Sequence, residues 1–116
     1  MQYTNRAMGL SKTEHFTEKQ NMTATLLKAL GHPARIAILE HLLKVDSCIC
    51  GDIVSELPLA QPTISQHLKE LKNAGLIKGS IEGNSICYCI EPKSISKLSA
   101  YFNTINTKLE KKKTCC

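Results

Sequence analysis

The chain has 116 residues, and its 15 lysines and arginines against 10 aspartates and glutamates give a net charge of +5. This length corresponds to one small domain that dimerisation would help to stabilise, and the positive charge favours a polyanionic partner. No run of about eighteen apolar residues occurs and the N-terminus lacks the charged-then-apolar pattern of a signal peptide, so we predict a cytoplasmic protein without a membrane-spanning segment.

The first third of the chain predicts a flexible arm followed by two helices. Residues 1–12 are polar and show no sustained period, which is typical of a mobile N-terminal arm. Apolar residues recur at helical spacing from about Glu14 to Leu30, and Gly31 follows as a stop signal. Pro33 suits the start of a second helix. That helix has apolar residues on more than one side, which predicts the buried centre of the domain: Ile36, Ile38, Leu39, Leu42 and Leu43.

Two further helices joined by a tight turn are predicted in the middle of the chain. The first starts near Cys50 and ends at Pro58, so that its first turn would hold Cys48 and Cys50. The second carries one narrow apolar stripe at spacings of four and three, formed by Ile64, Leu68 and Leu71. Gly75 suits the left-handed position that ends a helix.

The face opposite that stripe carries side chains that can contact DNA. These are Gln61, Thr63, Ser65, Gln66 and Lys69. Glutamine can form two hydrogen bonds with an adenine edge, serine and threonine bond several bases, and a helix N-terminus favours phosphate. We interpret the two helices as a helix-turn-helix that binds the major groove. An ordinary amphipathic helix with a solvated polar face is the alternative.

A two-stranded wing and a final helix complete the prediction. Residues 76–80 and 86–90 are strand-like and flank a turn that contains Gly and Asn. Cys87 and Cys89 share one face of the second strand, which we expect to be the more exposed one. Pro92 opens the last helix, whose apolar stripe, together with that of the first helix, predicts a homodimer. The stripe consists of Ile95, Leu98, Phe102, Ile105 and Leu109.

The predicted fold class is mainly α with a small β-hairpin: a winged helix-turn-helix of five helices and a two-stranded wing. Residues 13–110 would form the DNA-binding and dimerisation domain, and residues 111–116 a tail of lysines and cysteines. No nucleophile, base and orienting group occur as a set, so we predict that the chain is not an enzyme.

Four segments resemble the ArsR/SmtB family of winged-helix transcriptional regulators. They read ALGHPARIAILEHL (29–42), CICGDIVSEL (48–57), LAQPTISQHLKELKNAGLIKG (59–79) and EGNSICYCI (82–90). The resemblance implies a dimeric repressor that binds double-stranded operator DNA and leaves it when an inducer binds. It places base reading on four residues of this sequence: Gln61, Thr63, Ser65 and Gln66.

Lysines around the second helix of the motif are candidates for contacts with backbone phosphates. Lys69 and Lys72 lie on the reading helix, and Lys78 lies in the first wing strand. Similar proteins carry arginines near the wing tip, where this chain has Glu82. Phosphate contacts at the tip are therefore expected to be weaker.

Six cysteines occur as three pairs, which are Cys48 and Cys50, Cys87 and Cys89, and Cys115 and Cys116. Without an export signal, metal binding or redox sensing is favoured over a disulfide scaffold. The resemblance puts Cys48 and Cys50 at two positions of the family's thiolate site, and trivalent arsenic or antimony needs a third thiolate. Because Ile53 holds the family's third position, we expect that ligand from the tail, Cys115 or Cys116.

We therefore predict a repressor that requires no cofactor and is released by As(III) or Sb(III). One alternative is a redox-responsive repressor in which Cys48 or Cys50 pairs with a tail cysteine. Another is an interaction module that has lost DNA binding, which the acidic wing tip favours. A zinc site on the last helix is not expected, because residues 94–110 contain no Asp or His. Cys87 and Cys89 are candidates for a second soft-metal site or a redox pair, although two positions apart on one strand do not readily form a mutual disulfide.

Overall fold

The computed structural model of the chain describes residues 15–44, 49–50, 57–82 and 85–112. In chain order these residues form α1 (Glu18–Leu30), α2 (Pro33–Lys44), β1 (Ile49–Cys50), α3 (Gln61–Asn73), β2 (Ile77–Glu82), β3 (Ser85–Ile90) and α4 (Pro92–Lys111). The predicted winged helix-turn-helix, mainly α with a β-hairpin, is confirmed. Within these ranges there are four helices, and most of the fifth predicted helix falls on residues 51–56, outside the described residues. The predicted arm and tail boundaries stay predictions.

The sheet has one strand more than the predicted wing. Its three strands are antiparallel in the order β1-β3-β2, with Gly79 opposite Tyr88 in the hairpin. Ile49 and Cys50 form β1, so the prediction that Cys50 lies in the first turn of a helix is wrong. The physical reason is that β3 has a second edge whose backbone groups need partners, and the short segment of Ile49 and Cys50 supplies them.

The start of α1 is set by a capping box. The Thr17 hydroxyl accepts a hydrogen bond from the Gln20 backbone N–H at 3.0 Å, and the Gln20 side chain accepts one from the Thr17 N–H at 3.0 Å. This reciprocal pair satisfies two N–H groups that a helix start leaves unbonded. The helix therefore begins at Glu18, four residues later than the apolar pattern alone predicts.

The end of α3 fixes the angle at which the wing leaves the helix. The Leu76 N–H donates to the Leu71 carbonyl and the Gly75 N–H to the Lys72 carbonyl, both at 3.0 Å. This is the Schellman arrangement, and it requires the left-handed conformation that Gly75 adopts with a φ of 86°. The predicted cap is thereby confirmed. Leu71 and Leu76 are both fully buried, which adds the apolar contact that accompanies this motif.

One apolar core joins the helices to the sheet. Its fully buried side chains are Ile38, Ile64, Leu71, Leu76 and Ile77. Truncating one of these to alanine typically costs about 2–5 kcal/mol of the free energy of unfolding. α2 contributes Ile38 and Leu42 to the core, but its Ile36 and Leu43 are 45% and 69% exposed, so the prediction of a buried centre is wrong for these two residues. The stripe of α2 that faces α1, α3 and β3 is the part that fills the core.

Candidate nucleic-acid interface

α3 separates a buried stripe from an exposed polar face, as the sequence predicts. Ile64, Leu68 and Leu71 are no more than 5% exposed, and they hold the helix against the domain. Every predicted contact residue of the helix is exposed: Gln61, Thr63, Ser65, Gln66, Lys69 and Lys72. No side chain caps the N-terminus of α3, where Ala60 is the N-cap. The helix therefore presents polar side chains and a positive dipole end to a ligand.

The amide of Gln66 is held in place by its neighbour one helical turn later. Gln66 Nε2 donates to Glu70 Oε2 at 3.0 Å. This bond uses one of the two N–H groups of the amide and leaves the other N–H and the carbonyl oxygen for a partner. One donor beside one acceptor is the pattern that an adenine edge matches in the major groove.

A third exposed lysine extends the positive surface from the helix to the sheet. Lys78 lies in β2 and is exposed, beyond the turn that ends α3. Ile81, further along the same strand, is 79% exposed, so the hairpin projects from the domain. The side chain of Glu82 lies outside the described residues, and the predicted weakness of phosphate contacts at the tip stays a prediction.

A cluster of three basic residues ties the middle of α3 to the rest of the domain. Arg35 Nε donates to His67 Nδ1 at 3.0 Å, and Arg35 Nη1 donates to the Ala29 carbonyl at 3.1 Å. The rings of His32 and His67 lie 4.5 Å apart, and His32 Nδ1 accepts the Ala34 N–H at 3.0 Å. The end of α1, the start of α2 and the centre of α3 are thus joined by one polar cluster.

The prediction from sequence does not include Arg35. Its signal in the sequence is its position, because a cation in the first turn of a helix opposes the helix dipole and needs a partner elsewhere. That partner is His67, which is 9% exposed and must be neutral at Nδ1 to accept the bond. Burial lowers the pKa of His67 below its ordinary 6.5, and the nearby His32 and Arg35 lower it further.

Acid is therefore expected to destabilise the protein through His67. The unfolded chain takes up a proton near pH 6.5, while the folded protein resists it. Below pH 6.5 the unfolded state therefore binds more protons than the folded state. The contribution of His67 to the free energy of unfolding is fully present above pH 6.5. It decreases as the pH falls from there toward the folded pKa, by at most about 1.4 kcal/mol per pH unit. Urea unfolding of the wild type and of His67→Gln at pH 7.5 and 5.5 measures this loss of stability. Between the two pH values the variant should lose less stability than the wild type. An equal loss in both proteins would show that His67 does not cause the acid sensitivity.

The cysteines are placed differently from their prediction. Cys48, Cys115 and Cys116 lie outside the described residues. Cys87 is 3% exposed, so the expectation that its face of β3 is the more exposed one is wrong. The reason is that β3 is the central strand, so Cys87 has a cross-strand neighbour on each side, Cys50 of β1 and Ser80 of β2, whereas a two-stranded wing would give it one. Cys87 and Cys89 are each joined in a disulfide.

The described residues offer neither a grouped metal site nor a membrane-spanning helix. Among the described residues, no three His, Cys, Asp or Glu side chains are grouped to hold a metal ion. In the same part of the chain, no helix combines the length and the apolar character that crossing a membrane needs.

Comparisons with known proteins point to one family. Residues 32–78 match the family described as bacterial regulatory protein, arsR family. The HTH-type transcriptional regulator MJ1325 of Methanocaldococcus jannaschii is 40% identical over 82 residues, which cover 70% of this chain and 91% of that protein. The arsenical resistance operon repressor of Staphylococcus xylosus is 31% identical over 84 residues, 72% of this chain and 80% of that protein. An ArsR-like transcriptional regulator from Rhodococcus sp. RHA1 shares the fold, with a TM-score of 0.72, 21% identity, and coverage of 83% and 90% of the two chains.

Proposed function

Because the chain belongs to the arsR family of bacterial regulatory proteins, which are DNA-binding transcriptional regulators and not enzymes, we propose that it represses from a two-fold symmetric operator as a homodimer. We propose further that As(III) or Sb(III) releases it. The observation that carries the first proposal is the exposed polar face of α3 on a helix whose other face is buried.

Insertion of α3 into the major groove is supported by the chemistry of its first two turns. Gln61, Thr63, Ser65 and Gln66 are exposed side chains with donors and acceptors for base edges. The exposed lysines at the end of the helix and in β2 would contact backbone phosphates. Base contacts would then select the sequence, while the lysines would supply affinity for any duplex.

Dimerisation is supported by apolar surface on the two terminal helices. α4 is 20 residues long, and Phe102 and Leu109 in its second half are 47% and 57% exposed. α1 packs beside α4 and exposes 37% of Leu27, while Phe16, just before α1, is 47% exposed. A second copy that covers these side chains would bury them, and a two-fold axis would present two α3 helices to neighbouring turns of one face of the duplex.

Release by a trivalent metalloid is supported by the cysteine pair ahead of α3 and by the name of the Staphylococcus xylosus relative. Cys48 and Cys50 would supply two thiolates and Cys115 or Cys116 the third. The inducer must bind the DNA-free form better than the DNA-bound form, and a hundredfold difference supplies about 2.7 kcal/mol for release. A thiol-redox repressor is the second candidate, favoured by the disulfides at Cys87 and Cys89.

Paired substitutions in α3 separate base reading from phosphate contact. Gln66→Ala should reduce discrimination between the operator and a point-mutated operator by about 1–3 kcal/mol, because the variant lacks the amide that reads the base. Lys69→Ala, about one helical turn further along α3, should weaken binding to the operator and to unrelated duplexes alike and lower the salt dependence of binding. Fluorescence anisotropy titrations at two salt concentrations measure both. A Gln66→Ala variant with unchanged discrimination would remove Gln66 from the reading set.

A further inference from the structure

Two cysteines are paired in the register of the sheet. The register places Cys50 of β1 directly opposite Cys87 of β3. Directly opposite residues of an antiparallel pair have Cα atoms about 4.5–5.5 Å apart, which lies within the range of about 4.4–6.8 Å that disulfides span. Cys87 is buried and is joined in a disulfide. We infer that Cys50 and Cys87 are the two halves of a reversible disulfide that connects β1 to the wing.

The neighbouring cysteine of β3 is a poorer partner for either of them. Cys89 lies opposite Lys78 of β2, and no residue of β1 within the described part of the chain faces it. Two positions apart on one strand, Cys87 and Cys89 are separated by about 6.6 Å, at the upper limit for a disulfide. The register therefore selects Cys50 over Cys89 as the partner of Cys87.

Formation of the bond needs an oxidant, and a small-molecule disulfide such as oxidised glutathione supplies it. The thiolate of one cysteine attacks the glutathione disulfide, forms a mixed disulfide and releases one glutathione thiol. The thiolate of the other cysteine then displaces the second glutathione. Two protein thiols are oxidised to one disulfide, and one oxidised glutathione is reduced to two thiols. Excess reduced glutathione reverses both steps.

Because of its position, this bond should affect DNA binding, an expectation that rests on the proposed function. Residues 50 and 87 bracket α3 and β2, so oxidation closes one covalent loop around the reading helix and the first wing strand. The closed loop restrains these two elements relative to β1 and β3 and so changes how freely they adjust to a duplex. We expect the operator affinities of the reduced and oxidised forms to differ by about fivefold or more.

Three chains with two cysteines each test the pairing, with serine at the other four positions. One retains Cys50 and Cys87, the matched control retains Cys50 and Cys89, and the third retains Cys87 and Cys89. Each is equilibrated with oxidised glutathione, digested with trypsin without reduction, and analysed by mass spectrometry. Trypsin releases residues 45–69 and 79–93 as separate peptides, so a cross-link between strands joins the two.

The Cys50/Cys87 chain should give mainly the cross-linked peptide, and the control mainly glutathione adducts on both peptides. Equal cross-linking in the control, or an internal disulfide in peptide 79–93 of the third chain that forms as readily, would overturn the pairing. Operator titration of the Cys50/Cys87 chain, reduced and oxidised, tests the consequence, and equal affinities would overturn it. A chain that cross-links as expected but binds no duplex in either state would contradict the proposed function and leave the disulfide standing.

Discussion

Phe102→Asp is expected to abolish dimerisation and, with it, tight operator binding. The side chain is 47% exposed on α4, so the folded subunit tolerates the carboxylate, whereas a dimer that covers this face would bury an unpaired charge. We expect the dimer dissociation constant to rise at least about a hundredfold, or about 2.7 kcal/mol. Light scattering and operator titration at matched protein concentrations measure the two losses, which should occur together.

Asn103→Asp is the matched control for that substitution. It adds the same charge to the next residue, which is exposed and lies about 100° further round the helix, toward the face opposite the apolar stripe. Leu98→Asp is unsuitable, because Leu98 is 7% exposed within the core of its own subunit and a charge there would unfold it. A Phe102→Asp protein that remains a dimer would show that α4 packs only within its own subunit.

Loss of induction without loss of DNA binding is expected when Cys48 and Cys50 are both replaced by serine. Neither lies on the polar face of α3, so operator affinity in the absence of inducer should stay within about twofold of wild type. In reduced protein, saturating arsenite should weaken operator binding about a hundredfold in wild type and leave the double variant unchanged, because two of the three thiolates are gone. Anisotropy titration with arsenite and antimonite measures the release.

A second variant tests whether the tail supplies the third thiolate. Replacing Cys115 and Cys116 by serine should reduce the response as strongly if the tail completes the site, and Cys89→Ser serves as a control that should respond like wild type. An undiminished response in the tail variant would exclude the tail. An undiminished response in the Cys48/Cys50 variant would contradict the proposed site altogether.

The reading helix and its exit could be predicted because their signals are local. The spacing of Ile64, Leu68 and Leu71 defines a buried stripe within one helix, and Gly75 meets a backbone requirement that few other residues satisfy. Pro33 and Pro92 mark helix starts for the same reason. Each of these features depends on residues within a turn or two of one another.

Features that depend on partners distant in sequence could not be predicted in the same way. β1 is two residues long and exists because β3 has a free edge nearly 40 positions later, so its own sequence indicates a helix as readily as a strand. The burial of Cys87 follows from that third strand. The bond from Arg35 to His67 spans 32 positions, and only the unfavourable place of Arg35 in its helix hints at it.

Footprinting on an operator selected from random duplexes tests most directly whether α3 reads DNA in a two-fold dimer. We expect two protected half-sites related by inverted repetition, about one helical turn (10–10.5 bp) apart, with protection in the major groove. The Gln66→Ala variant should protect the same site with weakened preference at matching positions of both halves. Failure to select any symmetric site, or protection of a single half-site by a monomer at micromolar concentration, would contradict a two-fold dimer that reads DNA through α3.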